Sequence, residues 1–300
     1  MSDGGVTQDW ALRNERGALP LIKFIVWIAL RLGRPAARLF LYPICLYFLI
    51  FSRLARRASV DYLARVLDTR PRLADVFRHY HTFASCVLDR VFFLNDQIDL
   101  FDLRVEGEER VFDILERGSG CILLGAHFGS FEATRALGRR QPNLRVSLVM
   151  YEENARKIRA VLNTINPKLA MDVIGLGQSD SMIALRDRLE QGHFVGMLAD
   201  RGLDGESHVR RSFLGAAAAF PEGPFRMAAL MRRPVILMVG IYRGGRRYEV
   251  HFEYLLEPSA LDSQPGSDLA ELAMTRYVER LAHYCCSAPF NWFNFYDFWA

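Results

Sequence analysis

Three hundred residues, 51% of them hydrophobic, can build one large α/β domain or a domain with an appendage, and that composition excludes a disordered chain. A net charge of +4 is too mild to point to nucleic acid, although the basic residues are nearly all arginine. Cys45, Cys86, Cys121, Cys285 and Cys286 are odd in number and lack metal-ligand spacing, which predicts reduced thiols in a cytosolic compartment, no zinc site and no other metal site.

Residues 1 to 19 read as a loose polar tail, and two apolar runs follow, Leu21 to Leu30 and Leu39 to Phe51, separated by Arg31-Leu32-Gly33-Arg34-Pro35. No small-residue cleavage site ends the first run, so a secretory signal does not fit. Neither run alone reaches the roughly 20 residues that cross a bilayer. A tilted span, a re-entrant hairpin, an interfacial anchor and a pair of buried helices all satisfy the pattern. Trp27, Tyr42 and Tyr47, with Arg53, Arg56 and Arg57 directly after the second run, favour membrane contact. The chain therefore divides into a tail and apolar anchor over 1–58 and an α/β domain over 59–300.

Apolar residues then recur at helical spacing from Ser59 to Phe93, broken at Thr69-Arg70-Pro71, which predicts two helices, with His79 and His81 structural or exposed. A short strand is expected over Leu103 to Glu106, a helix over Glu108 to Arg117 stopped by Gly118, and a buried strand over Cys121 to Leu124. Beyond it the pattern predicts a helix over Ser130 to Arg139, a strand over Val146 to Met150, a helix over Glu153 to Ile165 and a strand over Met171 to Ile174. A helix over Ser181 to Glu190, capped by Ser179 or Asp180, and a strand over Phe194 to Leu198 come next. Residues 202 to 219 read as irregular. A helix opens at Phe220-Pro221-Glu222-Gly223-Pro224 and reaches about Met231, two strands flank Gly244-Gly245 as a hairpin, and a long helix covers Asp268 to Cys285. The alternation predicts a largely parallel central sheet flanked by helices, with an N-terminal apolar helical anchor. The tail from Pro289 to Trp299 is the most aromatic stretch, and the sequence leaves open whether it packs inside or touches membrane.

Chemistry is expected where the strand Cys121 to Leu124 hands over to Gly125-Ala126-His127-Phe128-Gly129-Ser130-Phe131-Glu132, since ligands of open α/β sheets bind outside the carboxyl ends of the strands. His127 and Glu132 are five apart, which on a continuous helix would separate them. With Gly129 bending the chain, Glu132 is expected to accept a hydrogen bond from one imidazole nitrogen and leave the other free as a general base. Backbone amides near Gly129 or Gly223 are candidates for an oxyanion site. The strand Phe194 to Leu198 delivers Asp200 and Arg201 to the same edge.

His127-x4-Glu132, Ala199-Asp200-Arg201-Gly202, Phe220-Pro221-Glu222-Gly223-Pro224 and Pro234-Val235, in that order, resemble the four blocks of the lysophospholipid acyltransferase superfamily. Together with the apolar anchor and Arg210-Arg211-Ser212-Phe213-Leu214-Gly215, they resemble most closely the lipid A biosynthesis lauroyl/myristoyl acyltransferase branch, over roughly residues 10 to 260. The resemblance implies an enzyme at the cell inner membrane, its catalytic domain facing the cytoplasm, that moves an acyl chain from an acyl-carrier protein thioester, or coenzyme A, to a hydroxyl of a lipid acceptor such as a lipid A precursor. No cofactor and no nucleic acid partner are implied. Carried over, His127 is the base, Glu132 its carboxylate partner, and Asp200, Arg201, Arg210, Arg211, Glu222 and Gly223 bind substrate or shape the site. Pro224-Phe225-Arg226 stands where the glycerol-phosphate branch has threonine-arginine, which speaks against a glycerol-3-phosphate acceptor. Other readings are an acyltransferase acting on an aryl polyene or another glycolipid, a thioesterase, and a non-catalytic membrane-anchored binder of acyl-carrier protein or lipid.

Overall fold

The structure, a computed structural model, describes residues 15–67, 69–134, 141, 143–151, 165–166, 172–177, 180–202, 206–263 and 265–300. The second half of the helix expected over Ser130 to Arg139, and all but Ile165 of the one expected over Glu153 to Ile165, lie outside these residues. Within them, Phe131–Thr134 is a 3-10 turn.

Seven strands form one sheet in the order β1 (Asp102–Glu106), β9 (Arg247–Leu256), β8 (Val235–Gly244), β2 (Cys121–Gly125), β5 (Phe194–Leu198), β3 (Val146–Tyr151), β4 (Asp172–Leu176). From β8 to β4 every neighbouring pair is parallel, while β9 runs antiparallel to β8 and β1 runs parallel to β9. The sheet is thus largely parallel, and its central strand β2 is buried along its whole length. Alternation sorts that strand between two cores: Ile122 and Leu124 pack on one face, Cys121 and Leu123 on the other, and Val195 and Phe194 of β5 divide in the same way.

Helices cover both faces. α1 (Glu15–Phe51) bends at Gly33, whose φ of 83° is left-handed territory, and α2 (Arg53–Val66) and α3 (Leu73–Leu94) follow. α4 (Glu108–Arg117) ends on Gly118 in the left-handed conformation, as the glycine predicts. α5 (Ser181–Glu190) precedes β5, and Asp180 precedes it without a side-chain cap bond. α6 (Gly223–Met231) carries proline in its first turn. The short α7 (Pro258–Ser263) leads to α8 (Gly266–Ser287), which lies against α6 and β9.

Residues 208–221 correct the expectation of an irregular segment. They form a separate antiparallel hairpin, β6 (His208–Phe213) with β7 (Ala216–Pro221), turning on Leu214 and Gly215, both at positive φ. Its turn is Leu-Gly rather than Asn-Gly, and β7 opens with four alanines, residues of low strand preference, so neither local signal announces a strand pair.

The part of α1 over Ile25–Phe51 is long and apolar enough to cross a membrane, with a mean hydropathy of 1.3 in its most apolar window, of which 22% is buried. Its inner side is fastened to the α/β layer. Arg34 donates to both carboxylate oxygens of buried Asp89 at 2.6 and 2.8 Å, and Tyr248 donates to the same group. Arg38 donates to the Tyr242 hydroxyl at 2.9 Å. The opposite side exposes Trp27, Leu39, Tyr42, Tyr47 and Phe51. An apolar face so broad and continuous marks an interaction surface rather than ordinary scatter.

Candidate active site

The parallel register aligns Gly125 at the end of β2 with Leu198 at the end of β5, and the Ala199 amide donates to the Gly125 carbonyl at 3.0 Å. Two residues further on, at equal height on adjacent strands, stand His127 and Asp200. Asp200 is fully buried, while the His127 side chain is 38% exposed. The imidazole Nδ1–H donates to Asp200 Oδ1 at 2.9 Å, and the His127 backbone N–H donates to Oδ2 at 3.1 Å. This pattern fixes the tautomer. It leaves Nε2 without a partner among the described residues, on a side chain that lines a large cavity.

Burial on its own would push the Asp200 carboxyl up, but the charge and hydrogen bonds of His127, with the nearby Arg201 charge, hold it well below the usual carboxylate range. It is therefore a buried anion behind an imidazole.

A third group completes this arrangement, and sequence reasoning missed it. Trp292, fully buried in the aromatic tail, donates its indole N–H to Asp200 Oδ2 at 3.1 Å. The tail is built into the site along its length. Asn291 accepts the Gly129 amide at 2.8 Å through its carbonyl, Phe293 N–H donates to the His127 carbonyl at 2.8 Å, and the Trp292 carbonyl faces buried His79 Nε2 at 2.8 Å. Ser59 Oγ lies 2.8 Å from the other nitrogen of His79, so His79 is neutral, structural and bonded on both sides. The available signal was compositional. Eleven residues so rich in aromatics cannot remain in water, and an indole that is buried needs an acceptor.

The loop after His127 is held tightly. Gly129 has φ 56°, and a β carbon there would overlap the Gly240 carbonyl, which also accepts the Ser130 amide at 2.7 Å. The amides of Phe128, Gly129 and Ser130 are all committed to carbonyls within the fold, which removes the Gly129 region as an oxyanion site. Gly223 opens α6 and lines the cavity, so that candidate stands.

Glu132 does not take the place expected of it. Its carboxylate, 12% exposed, faces Arg90 Nε at 2.7 Å in an ion pair whose geometry is not that of a linear hydrogen bond. The hydrogen bond assigned to it from the sequence is made by Asp200. A 3-10 turn at Phe131–Thr134, rather than a fold back towards the ring, carries Glu132 to the cavity wall beside Arg90.

Arg201 lines the cavity, donates to the Phe293 carbonyl at 2.5 Å and lies over the Tyr296 ring at 5.0 Å. His127, Glu132, Arg201 and Gly223 therefore meet at one cavity, with Asp200 directly behind. The hairpin residues Arg210 and Arg211 do not line it: Arg211 pairs with Glu271 of α8, and Arg210 is exposed. Glu222 likewise lies off the cavity, accepting from Ser207 at 2.8 Å.

The cavity has a volume of about 2680 Å³, several times the roughly 300–1,000 Å³ of a small-molecule pocket, and most of its lining is apolar. It passes along the sheet beside Leu123, Gly196 and Leu148, which stand on one rung of β2, β5 and β3. A family model described as bacterial lipid A biosynthesis acyltransferase matches residues 78–300. The chain belongs to that family. Among curated proteins, none matches the chain significantly. The match runs further towards the C-terminus than the resemblance read from the motifs. It takes in the aromatic tail, so Trp292 belongs to the acyltransferase unit and not to an appended ending. As a member of the family the chain is an acyltransferase with a lipid substrate.

Proposed function

We propose that this acyltransferase works at the inner membrane surface, its α/β domain on the cytoplasmic side. It would take an acyl chain from an acyl-carrier protein thioester, or coenzyme A, and pass it to a hydroxyl of a lipid A precursor or another glycolipid. The observation that carries the reading is a tautomer-fixed imidazole whose free nitrogen opens on a long apolar cavity. The broad exposed face of α1 supports a seat on the membrane, with Arg34 and Arg38 tying that helix to the domain.

In this mechanism the acceptor hydroxyl gives its proton to His127 Nε2 as its oxygen attacks the thioester carbonyl. Asp200 holds the ring and balances the imidazolium that forms, and Trp292 and the His127 amide hold Asp200. The tetrahedral oxyanion then collapses, the carbon–sulfur bond breaks, and the imidazolium returns the proton to the thiolate. The Gly223 amide at the start of α6 stands as donor to the oxyanion. A general base of this kind contributes roughly 10²–10⁴-fold. Glu132, paired with Arg90 on the wall, positions the reactants instead of the ring, and Arg201 braces the tail.

Membranes incubated with labelled acyl-carrier protein thioesters test the reading by mass identification of the product. Wild-type protein is expected to yield an acylated lipid and His127→Ala none, with folding unchanged. Free fatty acid as the sole labelled product would make the protein a thioesterase, and substantial transfer by His127→Ala would remove the base.

A further inference from the structure

The first five residues of α2 carry three arginines and no acid, the reverse of what the positive end of a helix dipole favours. One of them is accounted for. Arg56 turns back and donates to the carbonyls of Leu49 and Ile50, at 2.6 and 3.2 Å, closing the last turn of α1. Arg53 and Arg57 have no such compensation. Neither makes a hydrogen bond, ion pair or ring contact with any described residue. They stand four apart on one helix face, and both line the cavity that holds His127. The other cavity cations are engaged, Arg201 with the Phe293 carbonyl and Arg90 with Glu132. Asp61, next on the same stripe, is occupied by Arg65 at 3.3 Å. Flanking the pair, Phe51 and Leu54 are 66% and 76% exposed and continue the apolar outer face of α1.

Two open guanidinium forks at a cavity mouth match phosphate oxygens, and the apolar rim matches hydrocarbon. We propose that Arg53 and Arg57 form a binding site for the phosphate group of an amphipathic lipid, seated where the exposed apolar face of the anchor meets the cavity. The proposal deepens the acyl-transfer reading by locating where a phosphate of the acceptor would sit, and rests on that reading only in taking the ligand for the acceptor. The same chemistry would serve a free phosphate, and the rim favours the lipid.

Titration calorimetry on the full chain separates these sources, using dihexanoyl phosphatidic acid, dihexanoyl phosphatidylcholine and inorganic phosphate as soluble probes. Wild-type protein is expected to bind the phosphatidic acid at least roughly tenfold more tightly than either other probe. R53Q/R57Q should lose about tenfold or more, and R53K/R57K, which keeps the charge but not the fork, should fall between. R70Q/R104Q removes two exposed arginines outside the cavity and should bind like wild type. Because no turnover is read, His127→Ala should also bind like wild type, so a failed transfer assay leaves this result standing. Equal binding by R53Q/R57Q, an equal loss in R70Q/R104Q, or inorganic phosphate bound as tightly as the lipid would overturn the proposal. Should R53Q/R57Q not fold, R53K/R57K carries the test, and binding like wild type would count against the site.

Discussion

Asp200 is the residue on which the site converges, and its burial makes each of its donors matter. Trp292→Phe keeps the ring's bulk but removes the indole N–H from a fully buried carboxylate, which costs about 1–3 kcal/mol when a charged acceptor loses a donor. A lowered melting temperature together with a reduced kcat at nearly unchanged KM is the expected result. His79 supplies a pH dependence. Burial, partly offset by the Trp292 carbonyl, lowers its pKa from the ordinary 6.5 to about 4. Between those values the unfolded chain binds a proton that the folded chain refuses, so stability falls as pH drops through 6.5 and levels off below 4. From pH 7.5 to 5 the loss from this group is about 2 kcal/mol, and His79→Gln should lack that part of the decline in denaturant unfolding.

At the scale of elements, Gly196 sets the bore of the cavity. It sits between Leu123 and Leu148 on one rung, with the Phe131 ring edge 3.6 Å from where a β carbon would stand. The rung lies four residues back along the chain from His127, about 13 Å at strand spacing. Gly196→Ala sets a methyl against Leu148 and Phe131 and narrows the passage, and the products of a mixed-chain assay should shift towards shorter acyl groups; an unchanged chain profile would place the acyl group elsewhere. The elements themselves were readable where periodicity was strong. α4, α5 and β5 fall where their apolar spacing puts them, and Gly118 ends α4 as expected. Hairpin β6–β7 was not readable, because alanine and a Leu-Gly turn carry no strand signal. The 3-10 turn at Glu132 was not readable either, because it is imposed by the packing of Gly129 on Gly240, a contact 111 positions apart in sequence.

On the scale of the whole molecule, the sheet topology explains why half of the site was visible and half was not. His127, Asp200 and Arg201 follow directly from strands whose ends the sequence locates, so their shared edge could be read. Which carboxylate faces the imidazole depends on β2 and β5 being neighbours, a fact of strand order that no local pattern contains. The tail is a stronger case. Trp292 reaches Asp200 across 92 positions, with the last residues of the chain passing between α3 and the loop after His127. Anchor, sheet and tail therefore close around one cavity, α1 through Arg34 and Asp89 and the tail through Asn291 and Trp292.

Pre-steady-state acyl transfer by Asp200→Asn and Glu132→Gln, measured beside wild type, probes the central arrangement most directly. An asparagine at 200 can present an amide N–H to the ring and set the wrong tautomer, so the transfer rate should fall by roughly 10³–10⁴-fold with the protein still folded. Glu132→Gln should change substrate KM through Arg90 and leave the pH dependence of kcat as in wild type. A near-normal rate in Asp200→Asn, with the pH dependence altered only in Glu132→Gln, would contradict the account and return the histidine's partner to Glu132.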